Sequence, residues 1–239
     1  RDRTMPTTPA ALLAFGFVLG IRHALDVDHL AAISTILSER RSLWRSSLVG
    51  AVWGLGHTAA LLVVAIVMIG LHARIPPRVA MTLELGVAAM LVGLGLNLLW
   101  TLWRGGRVHH HAHAHGGRLH VHPHVHVPAG RSAERSHHHV RRPFLVGLVH
   151  GLAGSAGLML VVAASIPQPA LALAYVALFG LGSIGGMATM SVLLGAPLVL
   201  VGERFARAEG TIRACAGIGS VVVGVLLAWE LGVQAGAFL

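Results

Sequence analysis

Five ionisable side chains fall inside one apolar segment near the start of the chain. The segment runs from Leu19 to Thr35 and contains Arg22, His23, Asp26, Asp28 and His29. A central Asp or Arg costs roughly 2.5 to 3.5 kcal/mol when a helix enters a bilayer, so charges at this depth need a partner, a cavity or an ion. Imidazole and carboxylate groups together favour Ni²⁺, Co²⁺ or Zn²⁺ over Cu⁺.

Part of this cluster could satisfy itself. Arg22 and Asp26 are four residues apart, so they could form an ion pair on one helix face. His23, Asp28 and His29 would point to about 0°, 140° and 240° around an ideal helix, so they cannot converge on one ion unless the helix is interrupted. We therefore predict a break between Arg22 and His29 that turns Asp28 toward His23. The alternative is one continuous tilted helix.

Two further histidines lie in later apolar segments. His57 follows Gly54 and Gly56 near the centre of the second segment, and His150 lies in the fourth. A lone histidine at such a depth is often only a hydrogen-bonded core residue, but His57 adds a ligand at the depth of the first cluster. His150 is a weaker candidate. Cys215 is expected to be a small buried packing residue rather than a ligand.

The elements that carry these residues are expected to be membrane-spanning helices. Hydrophobic residues make up 55% of the 239 residues, charged residues only 11%, and the mean hydropathy is +0.73. A helix needs roughly 20 apolar residues to cross a bilayer, and six segments meet that length. They are Pro9–Ser38, Ser47–Leu71, Val79–Trp103, Pro143–Ile166, Ala170–Leu200 and Ile212–Gly236. The predicted fold is an all-α polytopic transmembrane bundle.

The two halves of the chain resemble each other. Gly20 and His23 align with Gly147 and His150, and the Trp53–His57 motif WGLGH aligns with FGLGS at Phe179–Ser183. In the third pair of segments, Gly86 and Gly93 match Gly217 and Gly224. A three-span unit enters the membrane from opposite sides in its two copies, so the match predicts an inverted repeat with the site between the halves. Alternatively, glycine-rich helices resemble one another because small residues permit close packing.

The two predicted repeats, residues 1–103 and 143–239, flank a loop at 104–142 that contains most of the histidines. Twelve of the 17 histidines lie there: His109–His111, His113, His115, His120, His122, His124, His126 and His137–His139. Such tracts bind transition metals, and the loop's Gly, Pro and Arg content predicts disorder without metal. It could also be a solvated linker that binds metal only incidentally. The arginine bias between loops places this loop in the cytoplasm and both termini outside.

The net charge of +9 does not indicate a nucleic-acid partner, because most arginines flank the apolar segments. No HExxH pattern supports a membrane zinc protease, and we expect no enzyme activity. A haem protein ligated by the intramembrane histidines is a further alternative that an absorption spectrum would decide. We expect no cofactor, with the metal ion as substrate and the bilayer as environment.

The motif HALDVDHLAAI, from His23 to Ile33, resembles the H-x4-D-H signature of the nickel/cobalt transporter (NiCoT) family. WGLGHT at Trp53–Thr58 is similar to the GH motif of the next helix in that family. The resemblance implies that His23, Asp28, His29 and His57 recognise the metal. The second half lacks the family's acidic motifs and looks more like the NicO and urease-accessory UreH-type branch, which includes both uptake and efflux proteins.

The sequence therefore predicts a multi-pass protein of the cell inner (plasma) membrane that transports Ni²⁺, Co²⁺ or both. The predicted metal site contains His23, Asp28, His29 and His57, with Asp26 and His150 as further candidates. The alternative is a membrane accessory or storage protein for a metalloenzyme such as urease or hydrogenase. The sequence leaves open the direction of transport, energy coupling, oligomeric state and any metallochaperone partner.

Overall fold

Helices account for most of the chain that the structure describes. The computed structural model describes residues 8–37, 42–71, 76–104, 109–115, 118–124, 138–152, 162–201 and 206–237. The helices are α1 (Pro9–His23), α2 (Val27–Leu37), α3 (Leu43–Leu71), α4 (Pro77–Trp103), α5 (His138–Leu152), α6 (Pro169–Val201) and α7 (Ala206–Ala237), with one further helical turn at 162–165.

Several of these helices match the predicted spans. Among the described residues, Leu43–Leu71, Pro77–Trp103, Pro169–Ala196 and Gly210–Val233 are each long and apolar enough to cross a membrane, and the α1–α2 pair is a fifth if it forms one span. Their outward surfaces carry large apolar side chains such as Trp44, Trp103 and Trp229. Such surfaces suit lipid rather than water. The predicted fourth span, Pro143–Ile166, includes residues 153–161, which lie outside the described residues.

The first apolar segment is broken, as its ligand spacing predicts. α1 ends at His23, α2 begins at Val27, and the two helices meet at an angle of 55°. At the break the amides of Leu25 and Asp26 donate to the carbonyls three residues earlier, at 2.9 and 3.0 Å. These tighter bonds end the α-helical ladder and expose backbone and side chains at one depth. The alternative of one continuous helix is therefore wrong.

Helix packing pairs elements of the first half with elements of the second. α3 packs along both α6 and α5, α1 packs along α6, and α4 packs along α7. The contact of α4 with α7 includes a hydrogen bond of 2.8 Å from the Ser220 hydroxyl to the Leu91 carbonyl. The buried side chains form two clusters, one around Trp53 and Ile33 and the other around Tyr175 and Phe179.

Glycines permit backbone contact at two of these helix pairs. A Cβ at Gly20 of α1 would overlap the carbonyl oxygen of Phe179 in α6, and a Cβ at Gly147 of α5 would overlap the carbonyl oxygen of Trp53 in α3. Such close approach is the packing mode of small residues in membrane helices. It places the two helices that carry His23 and His150 directly against their neighbours.

The third glycine match in the sequence is misplaced. The space around Gly86 and Gly93 is open, whereas Gly95 lies against Gly217 and Gly224 lies against Ala88. The glycine of α4 that makes contact is therefore two residues beyond the one aligned with Gly224. Chance matches are common among glycine-rich helices, and only the interhelical contacts reveal which glycines are used.

The histidine-rich loop contains a β-hairpin where the sequence predicted disorder. Strands β1 (His109–His115) and β2 (Arg118–His124) pair antiparallel, with His109 opposite His124. The register also sets His111 opposite His122 and His113 opposite His120. Alternation with period two on either side of a Gly-Gly pair is the sequence pattern of a hairpin. The alternation is visible in the sequence at His120, His122 and His124, but the prediction of disorder was based on the Gly, Pro and Arg content of the loop.

Candidate functional site

The break between α1 and α2 lies at the centre of a buried group of histidines. His23 ends α1, His29 is in the first turn of α2, His57 lies midway along α3, and His150 lies near the end of α5. His29, His57 and His150 have no exposed surface, and His23 is 6% exposed. All four histidines selected from the sequence are therefore brought together, including the weaker candidate His150.

Three of the four imidazoles are arranged for a common ion. One ring nitrogen from each of His23, His29 and His57 lies within 4.8 Å of the others. The Nε2 atoms of His23 and His57 share a hydrogen bond of 3.2 Å, which an ion bound between them would replace. That spacing subtends about 100° at an ion about 2.05 Å from each nitrogen. The His29 ring stands at 75° to the ring of His23 and at 77° to that of His57. Crossed rings allow their in-plane lone pairs to converge.

Asp26 orients one of these ligands. Its Oδ2 accepts a hydrogen bond of 2.7 Å from Nδ1 of His23, so the proton of a neutral His23 is on Nδ1 and the lone pair is on Nε2. The possible ion pair of Asp26 with Arg22 is not formed among the described residues, since Asp26 bonds to His23 instead and Arg22 is exposed. The helix ends at His23, which removes the regular spacing on which the Arg22–Asp26 pair depended.

Asp28 connects the first half of the chain to the second. Its Oδ2 accepts a hydrogen bond of 2.9 Å from Nε2 of His150, and its Oδ1 is 3.2 Å from Nδ1 of His29. The expectation that Asp28 turns toward His23 is wrong. α2 leaves the break at 55° to α1, so a residue in its first turn faces α5 instead.

Several buried nitrogens of the site have no hydrogen-bond partner among the described protein atoms. They are Nδ1 and Nε2 of His29, Nδ1 of His57, Nδ1 of His150 and Nε1 of Trp53. Nδ1 of His29 is near Asp28 but lacks hydrogen-bond geometry. Leaving a buried polar atom unpaired costs about 1–3 kcal/mol, so unpaired groups concentrate where a ligand supplies the missing partner.

Two aromatic rings enclose the histidines. The ring centroid of Trp53 is 5.4 Å from that of His29 and 5.6 Å from that of His150, and the ring of Phe179 is 5.3 Å from that of His23. Both rings are 1% exposed. Trp53 aligns with Phe179 in the sequence, but neither residue was predicted to lie at the site. Their alignment between the two halves was the sequence feature that could have indicated this position.

Two other residues considered from the sequence lie outside this group. Cys215 is exposed on α7, so its expected burial is wrong. Ser183, which aligns with His57, donates a hydrogen bond of 3.2 Å to the Gly20 carbonyl. It therefore supports the end of α1 rather than offering a ligand.

Comparison with known proteins identifies the family. The family model NicO, described as high-affinity nickel-transport protein, matches residues 10–200. The urease accessory protein UreH of Bacillus sp. (strain TB-90) is 34% identical over 228 residues, covering 95% of each chain. The chloroplast protein FOR GROWTH AND FERTILITY 2 of Arabidopsis thaliana is 27% identical over 184 residues, covering 75% of this chain and 46% of that protein.

No solved structure matches the chain significantly. The family match covers the broken helix, the intramembrane histidines and most of the apolar helices. The resemblance noted in the sequence is thereby confirmed on its NicO and UreH side, and the chain is a multi-pass membrane protein that belongs to the NicO family.

Proposed function

We propose that this protein carries Ni²⁺, Co²⁺ or both across the membrane through the histidine site at the α1–α2 break. The observation that carries the proposal is the buried group of His23, His29 and His57, with ligand atoms within 4.8 Å of one another. A nitrogen-rich site with carboxylates nearby suits these divalent ions. Asp28 and His150 are further candidate ligands beside this group, and Asp26 acts by orienting His23.

We further propose that the bundle is built from two inverted repeats of three spans. Reciprocal contacts support this arrangement. Gly20 lies against the Phe179 carbonyl, and its aligned partner Gly147 lies against the Trp53 carbonyl. Likewise Gly56 lies against the Phe144 carbonyl while Gly182 lies against that of Phe17. These contacts between the halves thus have counterparts with the roles exchanged, as a two-fold axis requires.

In this proposal, transport proceeds by alternating access. The site lies where the two halves meet, so a rocking motion of one half against the other would open it to each side in turn. The histidine-rich loop connects the halves on the cytoplasmic side, as the arginine bias of the loops indicates. Its role is to gather metal near the site, because redundant histidines bind divalent ions without forming one fixed site.

Transport of radioactive nickel and cobalt into proteoliposomes tests the proposal. Replacing His23 or His57 with Ala should abolish uptake without loss of the folded protein, because each change removes a ligand of the central group. His72→Ala, which changes a histidine outside the group, is the matched control and should transport normally. Wild-type uptake by both site variants would contradict the proposed site.

The same assay separates transport from the accessory role suggested by the name of the UreH relative. A protein that only stores or delivers metal would bind nickel in detergent but would not move it into vesicles. Uptake that depends on His23 and His57 requires a transporter.

A further inference from the structure

His29 belongs to two different groups of candidate ligands. The first group is His23, His29 and His57, and the second is Asp28, His29 and His150. In each group, one ligand atom per residue lies within 4.8 Å of the others. The first group comes entirely from α1, α2 and α3, whereas the second includes α5 of the other half.

The two groups differ in whether their ring orientations allow them to bind an ion in this conformation. In the first, the ring of His29 is crossed with the other two rings. In the second, the rings of His29 and His150 are stacked, with centroids 4.2 Å apart and planes at 25°. A metal lies in the plane of an imidazole along its nitrogen lone pair, so two nearly parallel stacked rings cannot both bind one ion. Nε2 of His150 is also engaged by Asp28. The second group must open before it binds.

His29 also prevents both groups from being filled together. A neutral imidazole has one nitrogen with a lone pair and one that carries a proton. His29 can therefore ligate one ion at a time, and the two groups compete for it. Both of its nitrogens lack a hydrogen-bond partner among the described protein atoms, so no bond holds either tautomer.

We propose that the transported ion occupies two successive positions that share His29. In the first position, His23, His29 and His57 hold the ion, as the conformation described above allows. In the second position, His150 leaves its stack on His29 and, with Asp28, takes over the ion while His23 and His57 release it. The shift transfers the ion from ligands of the first half to a ligand of the second. This inference rests on the proposed transport function.

Trp53 provides a local reporter of an ion bound to His29, which both positions share. Its ring is 5.4 Å from that of His29, close enough for a bound Co²⁺ to quench its fluorescence. The other four tryptophans, Trp44, Trp100, Trp103 and Trp229, are exposed, so each can be replaced by Phe without disturbing the core. The full-length protein with Trp53 alone then reports Co²⁺ at the site. The histidine loop stays intact, and His29→Gln defines the background quenching.

Two variants separate the positions. His57→Gln should raise the Co²⁺ concentration for half-maximal quenching by more than about tenfold, because it removes a ligand of the first position. His150→Gln keeps a donor for Asp28 and should change that concentration by less than about threefold. It should nevertheless lower the initial rate of Co²⁺ transport by more than about tenfold. Ser220→Ala, a buried polar change at the contact of α4 with α7, is the control and should leave both measurements intact.

The results for these variants test the two ion positions separately from the transport function. If His150→Gln weakens quenching as much as His57→Gln, the four histidines form a single position. If His150→Gln transports Co²⁺ at the wild-type rate, no second position exists. Asp28→Asn tests the same group if His150→Gln fails to fold, and it should bind yet transport poorly. Absence of transport by the wild-type protein would contradict the proposed function itself.

Discussion

At the scale of single residues, the two carboxylates of the site bond to different histidines with opposite effects. Asp26 accepts a hydrogen bond from Nδ1 of His23. The lone pair of a neutral His23 is then on Nε2 and is directed toward His57. Asp28 accepts a hydrogen bond from Nε2 of His150, which engages that nitrogen and leaves Nδ1 without a partner among the described protein atoms. In the proposed mechanism, Asp26 therefore orients a ligand, and Asp28 holds His150 in place until the ion shifts.

Replacing Asp26 with Ala should lower the affinity of the site for Co²⁺ by about 10–100-fold, because His23 loses the partner that fixes its tautomer. Asp26→Asn should have a smaller effect, since an amide oxygen still accepts the bond but carries no charge. Quenching of Trp53 by Co²⁺ measures both affinities. Glu230→Gln, a change at an exposed carboxyl group on α7, should leave the affinity unchanged. Equal affinity of Asp26→Ala and the wild-type protein would remove the orienting role.

The residues of the group could be predicted from the sequence, but their pairing could not. His23, Asp28, His29 and His57 stand out because ionisable groups are costly inside an apolar segment. The pairing of Asp28 with His150 depends on the direction in which α2 leaves the break and on the helix that it meets. Neither follows from spacing along one segment. Trp53 was overlooked because an aromatic residue in an apolar helix has no distinctive pattern.

At the scale of helices, backbone contacts set the spacing around the site. α5 approaches α3 where Gly147 meets the Trp53 carbonyl, three residues before His150. α1 approaches α6 where Gly20 meets the Phe179 carbonyl, three residues before His23. Both approaches are permitted only by the missing side chain of a glycine. The two histidines at these ends are thereby held at fixed distances from their neighbours.

Gly147→Ala should destabilise the protein by about 1–3 kcal/mol, because its methyl group would overlap the Trp53 carbonyl and force α5 away from α3. Gly86→Ala is the matched control, since nothing lies within 4 Å of a Cβ placed there. Thermal unfolding in detergent compares the two variants with the wild-type protein. An unchanged melting temperature for Gly147→Ala would show that the contact is looser than described.

Most of the element structure could be predicted, with two failures of different origin. The break in the first segment followed from the angular positions of His23, Asp28 and His29, because a straight helix keeps them apart. The hairpin at His109–His124 was missed because composition was weighed above the period-two alternation. The glycines of α4 were misaligned because a glycine that packs cannot be told from one that faces outward by its identity alone.

At the scale of the whole molecule, a polar loop joins two groups of membrane helices that meet at the histidine site. The loop carries most of the histidines, whereas the buried group consists of His23, His29, His57 and His150. The buried site and the loop therefore have separate roles in the proposed mechanism, and each can be altered without the other.

Deleting His109–His139 should raise the metal concentration needed for half-maximal transport while leaving transport measurable at saturating metal. The reason is that the buried ligands remain in place and only the metal-gathering segment is lost. Proteoliposome uptake over a range of nickel concentrations measures both quantities. A variant with the same histidines replaced by Ser keeps the length of the loop and serves as the control. Complete loss of transport with normal expression would place essential chemistry in the loop.

The orientation of the loop can be tested with one thiol. Cys215 is the single cysteine, so Cys215→Ser yields a cysteine-free protein to which a cysteine is added at Ser132 in the loop. A membrane-impermeant maleimide should label this cysteine only after the cells are opened, because the arginine bias predicts a cytoplasmic loop. Labelling of intact cells would reverse the proposed topology.

The contact between Gly147 and the Trp53 carbonyl also bears on which ions the site accepts. An interface of flexible side chains could adjust to ions of different radius, whereas two backbones already touching cannot move closer or part without losing their packing. In this conformation, the separation of α3 and α5 therefore limits how far His57 of the first position and His150 of the second can move apart. Ni²⁺ and Co²⁺ have similar radii and fit the same ligand spacing, whereas Cd²⁺ is larger and would have to push the helices apart. Gly147 would then determine the size selectivity of the site although it does not contact the ion.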